Sequence, residues 1–356
     1  MAYTTINKST DYFNTKLYTG NGTTNTAQTG VGFQPDWTWI KSRNSASYNH
    51  MIFDAVRGAT KYIKSDANSA ESTLAETLKS FDTDGFTVGT EADVNNNSTT
   101  YVAWNWKAGT TGSGNTTGSG TYKTYSYSVN TTAGFSITKY TGNGNNGHTI
   151  PHSLGTTPKI VLVKELGGGD YWRLYHPALT ANYNLYLNTT HAQDSASDGY
   201  ITSVGSTTFG FGGSTTVTVN QDGIDYIAYC FAEKTGYSKF GSYNGNGNAN
   251  GPFVYTGFKP ALVIYKGASG TGTTDNWEMI DNTRTDGPVG NPKNELLYPN
   301  LNNAEGVNAT DRMDFLSNGF KLRTNGADYN NSSATYIYMA FGQSLVGSNN
   351  VPATAR

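Results

Sequence analysis

The chain has 356 residues, with 24 lysines and arginines against 26 aspartates and glutamates. A near-neutral balance with no run of basic residues argues against nucleic-acid binding by phosphate neutralisation. No stretch approaches the ~20 apolar residues of a membrane-spanning helix, and the start, Met1–Thr5, has neither the basic end nor the apolar core of a secretory signal. The expectation is a chain that folds in the cytoplasm without membrane insertion.

Charged residues make up only 14% of the chain, so solubility falls to the Asn, Thr, Ser and Gly that fill the stretches between apolar runs. The single cysteine, Cys230, excludes an intramolecular disulfide. It lies in the apolar run Tyr226–Phe231, where a small buried hydrophobe is the expected role.

In chain order, the first predicted elements are the turn Tyr18-Thr19-Gly20-Asn21-Gly22, the proline-initiated strand Pro35–Lys41 and the strand His50–Asp54. Over Ser69–Ser80, Ala70, Leu74, Ala75 and Leu78 follow i, i+4, i+5, i+8 and predict one short helix. Gly85–Val88 and Tyr101–Trp106 then close a unit. Residues 109–121 are rich in Gly and Ser and predict a linker, flexible unless docked.

The anchors then recur. Tyr140–Gly144, Pro158–Lys164, Trp172–His176 and Tyr226–Phe231 follow in the same order, and so do Tyr243–Gly247, Pro260–Lys266, Trp277–Asp281 and Tyr336–Phe341. Ala70-Glu71 aligns with Ala192-Gln193 and Ala304-Glu305, and Gly85–Val88 with Gly319–Leu322 and, more loosely, Thr208–Phe211. Opening and closing tyrosines are 83, 86 and 93 residues apart. Shared order at similar spacing predicts three copies of one module, with a period too long for a solenoid turn or propeller blade. The predicted domains are 1–108, 122–235 and 236–347, joined by the 109–121 linker and followed by a tail, 348–356.

Apolar runs of four to eight residues, rich in Val, Ile, Tyr, Trp and Phe and bounded by Gly, Asn, Asp and Pro, are strand signatures. Along the closing strands one face carries Val102, Trp104 and Trp106, then Ile227, Tyr229 and Phe231, then Ile337, Met339 and Phe341. The other carries mostly small residues, such as Ala103, Ala228 and Ala340. Such strands belong in the middle of a sheet, the bulky face expected in each module's own core. The predicted class is all-β: three tandem β-sandwich modules of jelly-roll, concanavalin-like or immunoglobulin-like topology, each with seven or eight strands.

Chemistry is sparse. His148 and His152 are four apart, but Ile150-Pro151 between them prevents the helix that would put both on one face, and no Cys/His cluster supports a metal. Glu71 with Glu76, and Asp82 with Asp84, are carboxylate pairs in polar segments that read as solvated acids rather than a glycosidase pair. Thr274–Trp277 and Glu91–Asn97 match no calcium-loop pattern. The Gly-Asn-Gly runs are turn chemistry. No nucleophile elbow or phosphate loop is present, so no enzyme activity, catalytic residue, cofactor or metal is expected.

Two features remain. Asp54 with Arg57, and Asp281 with Arg284, recur at one spacing, whereas the second unit has His176 and Leu179. This reads as a turn-stabilising ion pair or as a contact surface used by two modules only. There are 25 tyrosines; Tyr48, Tyr122, Tyr125, Tyr127, Tyr171 and Tyr329 sit in polar stretches, where rings could stack on sugars or serve subunit interfaces.

The chain resembles a family of poorly characterised proteins of tailed bacteriophages, many of them marine. The residues carrying the resemblance are Pro35–Lys41, Phe53–Gly58, Asp84–Gly89, Tyr101–Ala108, Tyr229–Tyr243, Phe315–Arg323 and Val351–Arg356. The resemblance implies a component of the virion, a tail-fibre or tail-tip adhesion protein binding host surface glycan, or else a capsid decoration or tail-assembly subunit. It implies other virion proteins as partners and a homo-oligomer, and carries no catalytic residues.

Overall fold

The closing strands organise the molecule, because residues bulky on one face and small on the other must be covered on both. The computed structural model describes residues 4–195, 200–212, 219–270, 275–284, 290–307 and 312–344; the tail 348–356 lies outside them. Thr100–Trp106 runs between Phe13–Thr19 and Trp37–Ser42, with Met51–Asp54 beyond, all antiparallel. The same order recurs as Phe135–Thr141, Asp225–Phe231, Ile160–Glu165 and Arg173–Tyr175. It recurs again as Ser238–Asn244, Thr335–Ser344, Phe258–Ser269 and Glu278–Asp281. Registers agree: Tyr18 faces Tyr101, Tyr140 faces Tyr226 and Tyr243 faces Tyr336.

A second layer covers the small-residue face of each sheet. In the first unit it is Thr26–Thr29, Gly85–Val88 and Leu78–Asp82; in the third, Phe253–Tyr255, Gly319–Leu322 and Met313–Leu316. The second unit has four strands there, Thr117–Gly118, His148–Pro151, Thr208–Gly212 and Tyr200–Thr202. The protein is all-β and sandwich-like. Pro260 lies inside its strand rather than at the start, where the register shifts between Pro260 and Leu262; the bulge spares the ladder a missing N–H.

The bulky faces do not fill separate module cores. Val102, Trp104 and Trp106 share one cluster with Ile227, Tyr229, Phe231, Ile337, Met339 and Phe341. Trp106, Phe231 and Phe341 form a triangle at its centre, with ring centroids 6.4, 5.5 and 5.6 Å apart. The opposite faces make the intramodule cores, with Tyr101 and Ala103 in one, Tyr226, Ala228 and Cys230 in another, and Tyr336, Tyr338 and Ala340 in the third. Module size explains this correction. Indole and phenyl groups bury about 150–250 Å² each, more apolar area than a layer of three or four short strands would cover.

Backbone bonds close the arrangement. Glu71 N–H donates to the Leu166 carbonyl (2.9 Å), Gln193 N–H to Ala268 (2.9 Å) and Glu305 N–H to Arg43 (2.6 Å). Each unit thus reaches the next, and the third reaches the first. The ends meet as well, with Ser9 donating through its N–H and hydroxyl to Gln343 Oε1, both at 2.9 Å. Lys41, Lys164 and Lys266, which end the proline strands, are fully buried. Lys164 Nζ donates across the interface to Asn68 O and Lys266 Nζ to Thr190 O, both at 3.2 Å. Burial pushes all three ammonium groups down to about 8.

One local expectation is corrected. Ser69–Ser80 is not helical: Ser72–Thr73 pairs with Lys61–Tyr62 and Leu78–Asp82 with Gly85–Val88. Leu74, one of the four residues of the supposed apolar stripe, is 40% exposed. Without a buried face, a segment this short gains too little to nucleate a helix. The Gly/Ser segment is docked, with Thr110–Asn115 as the edge strand beside Thr124–Asn130. Gly112 faces Tyr127 and Gly114 faces Tyr125, and a Cβ at these glycines would sit 2.5 and 3.0 Å from the tyrosine rings. The glycines leave room for the rings to lie across the edge strand.

Candidate binding surfaces

The recurrent Tyr-Thr/Asn-Gly-Asn-Gly turn is a structural corner. Tyr18, Tyr140 and Tyr243 stack on Tyr101, Tyr226 and Tyr336 at 5.1, 5.2 and 5.0 Å. Their hydroxyls donate to the carbonyls of Val94, Val219 and Tyr329 at 2.7, 2.7 and 2.9 Å. The buried Asn95, Asn220 and Asn330 accept the N–H of Asn21, Asn143 and Asn246. At Gly20, Gly142 and Gly245 a Cβ would lie 2.3, 2.4 and 2.1 Å from a backbone oxygen, so only glycine fits.

The histidines and acids are likewise absorbed by the fold. His148 Nδ1 lies 2.9 Å from Asn220 Oδ1 and His152 Nε2 lies 3.1 Å from Gly205 O. Both are buried, and burial lowers both imidazole pKa values. Asp82 accepts the Ser80 and Thr87 hydroxyls, and Asp84 the N–H groups of Gly30 and Gly32, which lower its pKa. Glu71 pairs with Arg57 and Lys61, Glu76 with Lys79. Asp93 accepts the Asn49 N–H, and Asp275 is buried. Among the described residues no three His, Cys, Asp or Glu side chains are grouped to hold a metal ion. A buried acid with no sequence signal is Glu278, which takes the Tyr265 hydroxyl hydrogen bond and is pushed up to about 7 by burial.

The Asp–Arg pairs are interface locks with fully buried side chains. Asp54 holds Arg57 at 2.5 Å and accepts the hydroxyl of Tyr229, in the second unit, at 2.7 Å. Asp281 holds Arg284 at 2.6 Å and accepts the Trp104 indole N–H, from the first unit, at 3.0 Å. Of the two readings, the contact surface used by two modules fits these bonds: each carboxylate is the acceptor for the closing strand of a neighbouring unit. At the third equivalent place the closing strand has Met339, which has no N–H or O–H to offer, and the second unit has His176. Sequence shows the loss of the pair but not its partner across the interface.

Of the polar-segment tyrosines, Tyr122 and Tyr171 are 59% and 44% exposed. Tyr48, Tyr125 and Tyr127 are half-buried. Tyr329 is buried, with the Arg312 guanidinium 4.2 Å from its ring centre. Tyr125 stacks with Tyr127 at 6.0 Å and lines a cleft of about 280 Å³ with Ser113, Thr124, Lys139 and Asp225. In that cleft Lys139 and Asp225 pair at 2.8 Å, which leaves little free charge for a ligand.

The most exposed aromatic pair was not singled out by the sequence. Phe253 and Tyr255 are 45% and 59% exposed on the outer face of the third unit's second layer, with buried Val254 between them. Period-two alternation puts the rings on one face, about 7 Å apart along the strand. Phe253 faces Lys321 and Tyr255 faces Gly319. A Cβ at Gly319 would lie 3.0 Å from the Phe253 ring, so the missing side chain lets that ring lie over the sheet. Lys321 is tied to the Gly251 carbonyl at 2.8 Å, and Asp314 faces Arg323 at 3.5 Å on the same sheet. The matching places are Ala27 and Thr29 in the first unit, by register with Thr87 and Gly85, and Thr149 and Pro151 in the second. The aromatic face belongs to one unit alone.

No curated protein and no solved structure matches the chain. A family model described as a domain of unknown function, DUF7483, matches residues 8–344, a span that takes in all three sheets and the contacts between them. The chain belongs to this DUF7483 family.

Proposed function

We propose that this protein is a structural component of a tailed-phage particle, at the tail fibre or tail tip, that binds host surface glycan through the Phe253–Tyr255 face. The resemblance carried by Pro35–Lys41, Tyr101–Ala108 and Tyr229–Tyr243 supports the particle assignment. The observation that carries the binding role is the exposed aromatic pair on one sheet face. Adjacent rings lying on a flat sheet offer apolar area to the C–H face of a sugar. The tyrosine hydroxyl, Lys321 and Arg323 supply hydrogen bonds at the rim. Exposed large apolar groups on an otherwise polar surface mark contact sites.

The test is binding of the intact chain to a broad glycan array and to whole host cells, beside Phe253→Ala/Tyr255→Ala. The expected result is binding that falls at least tenfold in the double variant, with an unchanged melting profile. A blank array together with blank cells, or full binding by the variant, removes the proposal.

A second reading is favoured by the shared aromatic core, which makes three units one body: an architectural capsid decoration or tail-assembly subunit without glycan binding. Copy number per particle separates the two. A few or a few dozen copies fit a tail; hundreds fit a head.

A further inference from the structure

The outer layer of the third unit departs from its two counterparts at five positions on one face. Where it has Phe253 and Tyr255, the first unit has Ala27 and Thr29 and the second Thr149 and Pro151. Beside the aromatics stand Lys321, Asp314 and Arg323. By register, Lys321 matches Thr87 and Gly210, and Asp314 matches Ser80 and Thr202. Arg323, two residues beyond Lys321, falls where the others have Gly89 and Gly212. The first two units build the same layer without any of these side chains, so the fold does not require them. Rings and charges occur together in one unit only.

Lys321 is the cross-strand neighbour of Phe253, and Asp314 that of Lys321; Cβ atoms of such pairs stand about 4.5–5.5 Å apart. The Lys321 ammonium donates to the Gly251 carbonyl at 2.8 Å. That bond draws it to the Phe253 edge of the sheet and leaves its other N–H groups for a ligand. Arg323 follows on the same face, about 7 Å further along the strand. Its Nε lies 3.5 Å from Asp314 Oδ2 and its side chain is 42% exposed, so the guanidinium still presents N–H groups to solvent. Two cations beside one acid leave this face with a positive surplus, in a chain whose net charge is −2.

We infer that the sugar taken by the Phe253–Tyr255 face is acidic, a hexuronic acid residue whose ring lies on the aromatics and whose carboxylate lies on Lys321. This rests on the reading of that face as a glycan site and names the class of glycan. The carboxylate of a hexuronic acid is borne on a ring carbon, so a ring stacked on Phe253 holds it beside the neighbouring lysine. Hydrogen bonds from an ammonium or guanidinium to a carboxylate are roughly twice as strong as neutral ones. Arg323 offsets Asp314, whose charge alone would repel the anion. A neutral sugar uses the rings but gains nothing from the surplus charge. Selectivity therefore resides in the cations and affinity in the rings.

The experiment uses the intact protein with oligomers of galacturonate, glucuronate and mannuronate, each beside its methyl ester, which keeps the ring and removes the charge. Affinities are read by titration calorimetry at low and at high salt. The expected result is at least tenfold tighter binding of one acid than of its ester, a preference that shrinks as salt is raised. Lys321→Thr places there the residue type of Thr87 in the first unit, so the layer should keep its melting profile while the acid's affinity falls to that of the ester. Phe253→Ala/Tyr255→Ala should weaken acid and ester alike. Esters bound as tightly as acids, or binding of neutral glycans only, overturns this inference and leaves the glycan face standing. Acid binding that survives Phe253→Ala/Tyr255→Ala, or equal binding of polyglutamate, also overturns it, by showing attraction of charge without recognition of a ring. If no acid, ester or arrayed glycan binds, both readings fall.

Discussion

The interface locks predict that the three units unfold as one. Tyr229→Phe removes a single hydroxyl whose acceptor, Asp54, lies in another unit at 2.7 Å. Hydrogen bonds to charged groups are worth about 1.5–3 kcal/mol. Here both side chains are fully buried, so no water replaces the lost donor. With an unfolding entropy of about 2.1 cal/mol/K per residue, a cooperative unit of this length loses about 2–4 °C in melting temperature. The tryptophans report on the units separately. Trp172 is the second unit's only one and Trp277 the third's, while Trp37, Trp39, Trp104 and Trp106 are in the first. Urea and thermal melts would be followed by ¹⁹F NMR of the chain labelled with 5-fluorotryptophan, which reports each indole without removing any, with and without Tyr229→Phe. The expected outcome is one midpoint for all probes, displaced equally by the substitution. A double-mutant cycle with Asp54→Asn should return most of the loss as coupling. Separate midpoints, or a shift confined to the Trp172 signal, would refute the shared-core reasoning.

Asp54→Ala should be worse, by up to about 3–5 kcal/mol, because it leaves the buried Arg57 guanidinium with Glu71, 3.3 Å away, in place of its closer carboxylate; denaturant midpoints check this. Gly245→Ala should cost more than 1 kcal/mol, since its Cβ would meet the Asn331 carbonyl oxygen at 2.1 Å, and a thermal melt reads it directly. Cys230 is fully buried and its thiol is pushed up to about 12. Alkylation by iodoacetamide at pH 8 should therefore proceed only through unfolding and follow the global stability as urea is added; rapid labelling of the native protein would contradict that. The buried lysines predict an alkaline gain. Lys41, Lys164 and Lys266 sit near 8 when folded against 10.5 as the ordinary value, so above pH 8 the unfolded chain holds more protons and stability rises with pH. Cys230 and the buried tyrosines, whose folded values are raised, act oppositely from about pH 9–10 upward. Stability measured by urea melts should rise between about pH 7.5 and 9, and Lys164→Met should remove roughly a third of that rise.

The legible parts of the fold are those where one residue type has one physical use. Tyr18, Gly20 and Gly22 could be read as a turn because close backbone approach at Gly20 and positive φ at Gly22 restrict the choice to glycine. The alternation of Val102, Trp104 and Trp106 against Ala103 and Asn105 marked a central strand for the same kind of reason. Alternation says that a face is buried, however, and not against what. The bulky faces therefore went to the wrong core, and Lys164 and Lys266, ending their proline strands, read as strand termini when they cross module interfaces. The 109–121 segment stayed open between the two, because Gly-Ser-Gly describes a flexible chain and also a strand under the rings of Tyr125 and Tyr127. For the surfaces, tyrosine among polar residues was a poor guide, since Tyr329 is buried under Arg312. Phe253 and Tyr255 gave the usable signal in Gly251–Thr256, two aromatics on one face of a short strand, but nothing marks that face as outward until the strand is placed.

Carrying three units on one chain has a consequence that a symmetric trimer cannot share. In a homotrimer every substitution occurs three times, so a lock lost at one interface is lost at all of them. Here the first and third units keep buried Asp–Arg locks while the second has His176 and Leu179 in their place. The third unit alone sets aromatics where the others have Ala27 and Thr29 or Thr149 and Pro151. The common aromatic centre of Trp106, Phe231 and Phe341 supplies stability from all three units at once. One interface can then lose its ion pair without separating. Restoring the lock tests this directly: His176→Asp with Leu179→Arg rebuilds the local pair but faces Met339, which cannot donate to it. The double variant should therefore gain less stability than Met339→Trp added to it. Equal stability with and without the indole would mean that the locks act within units and do not join them.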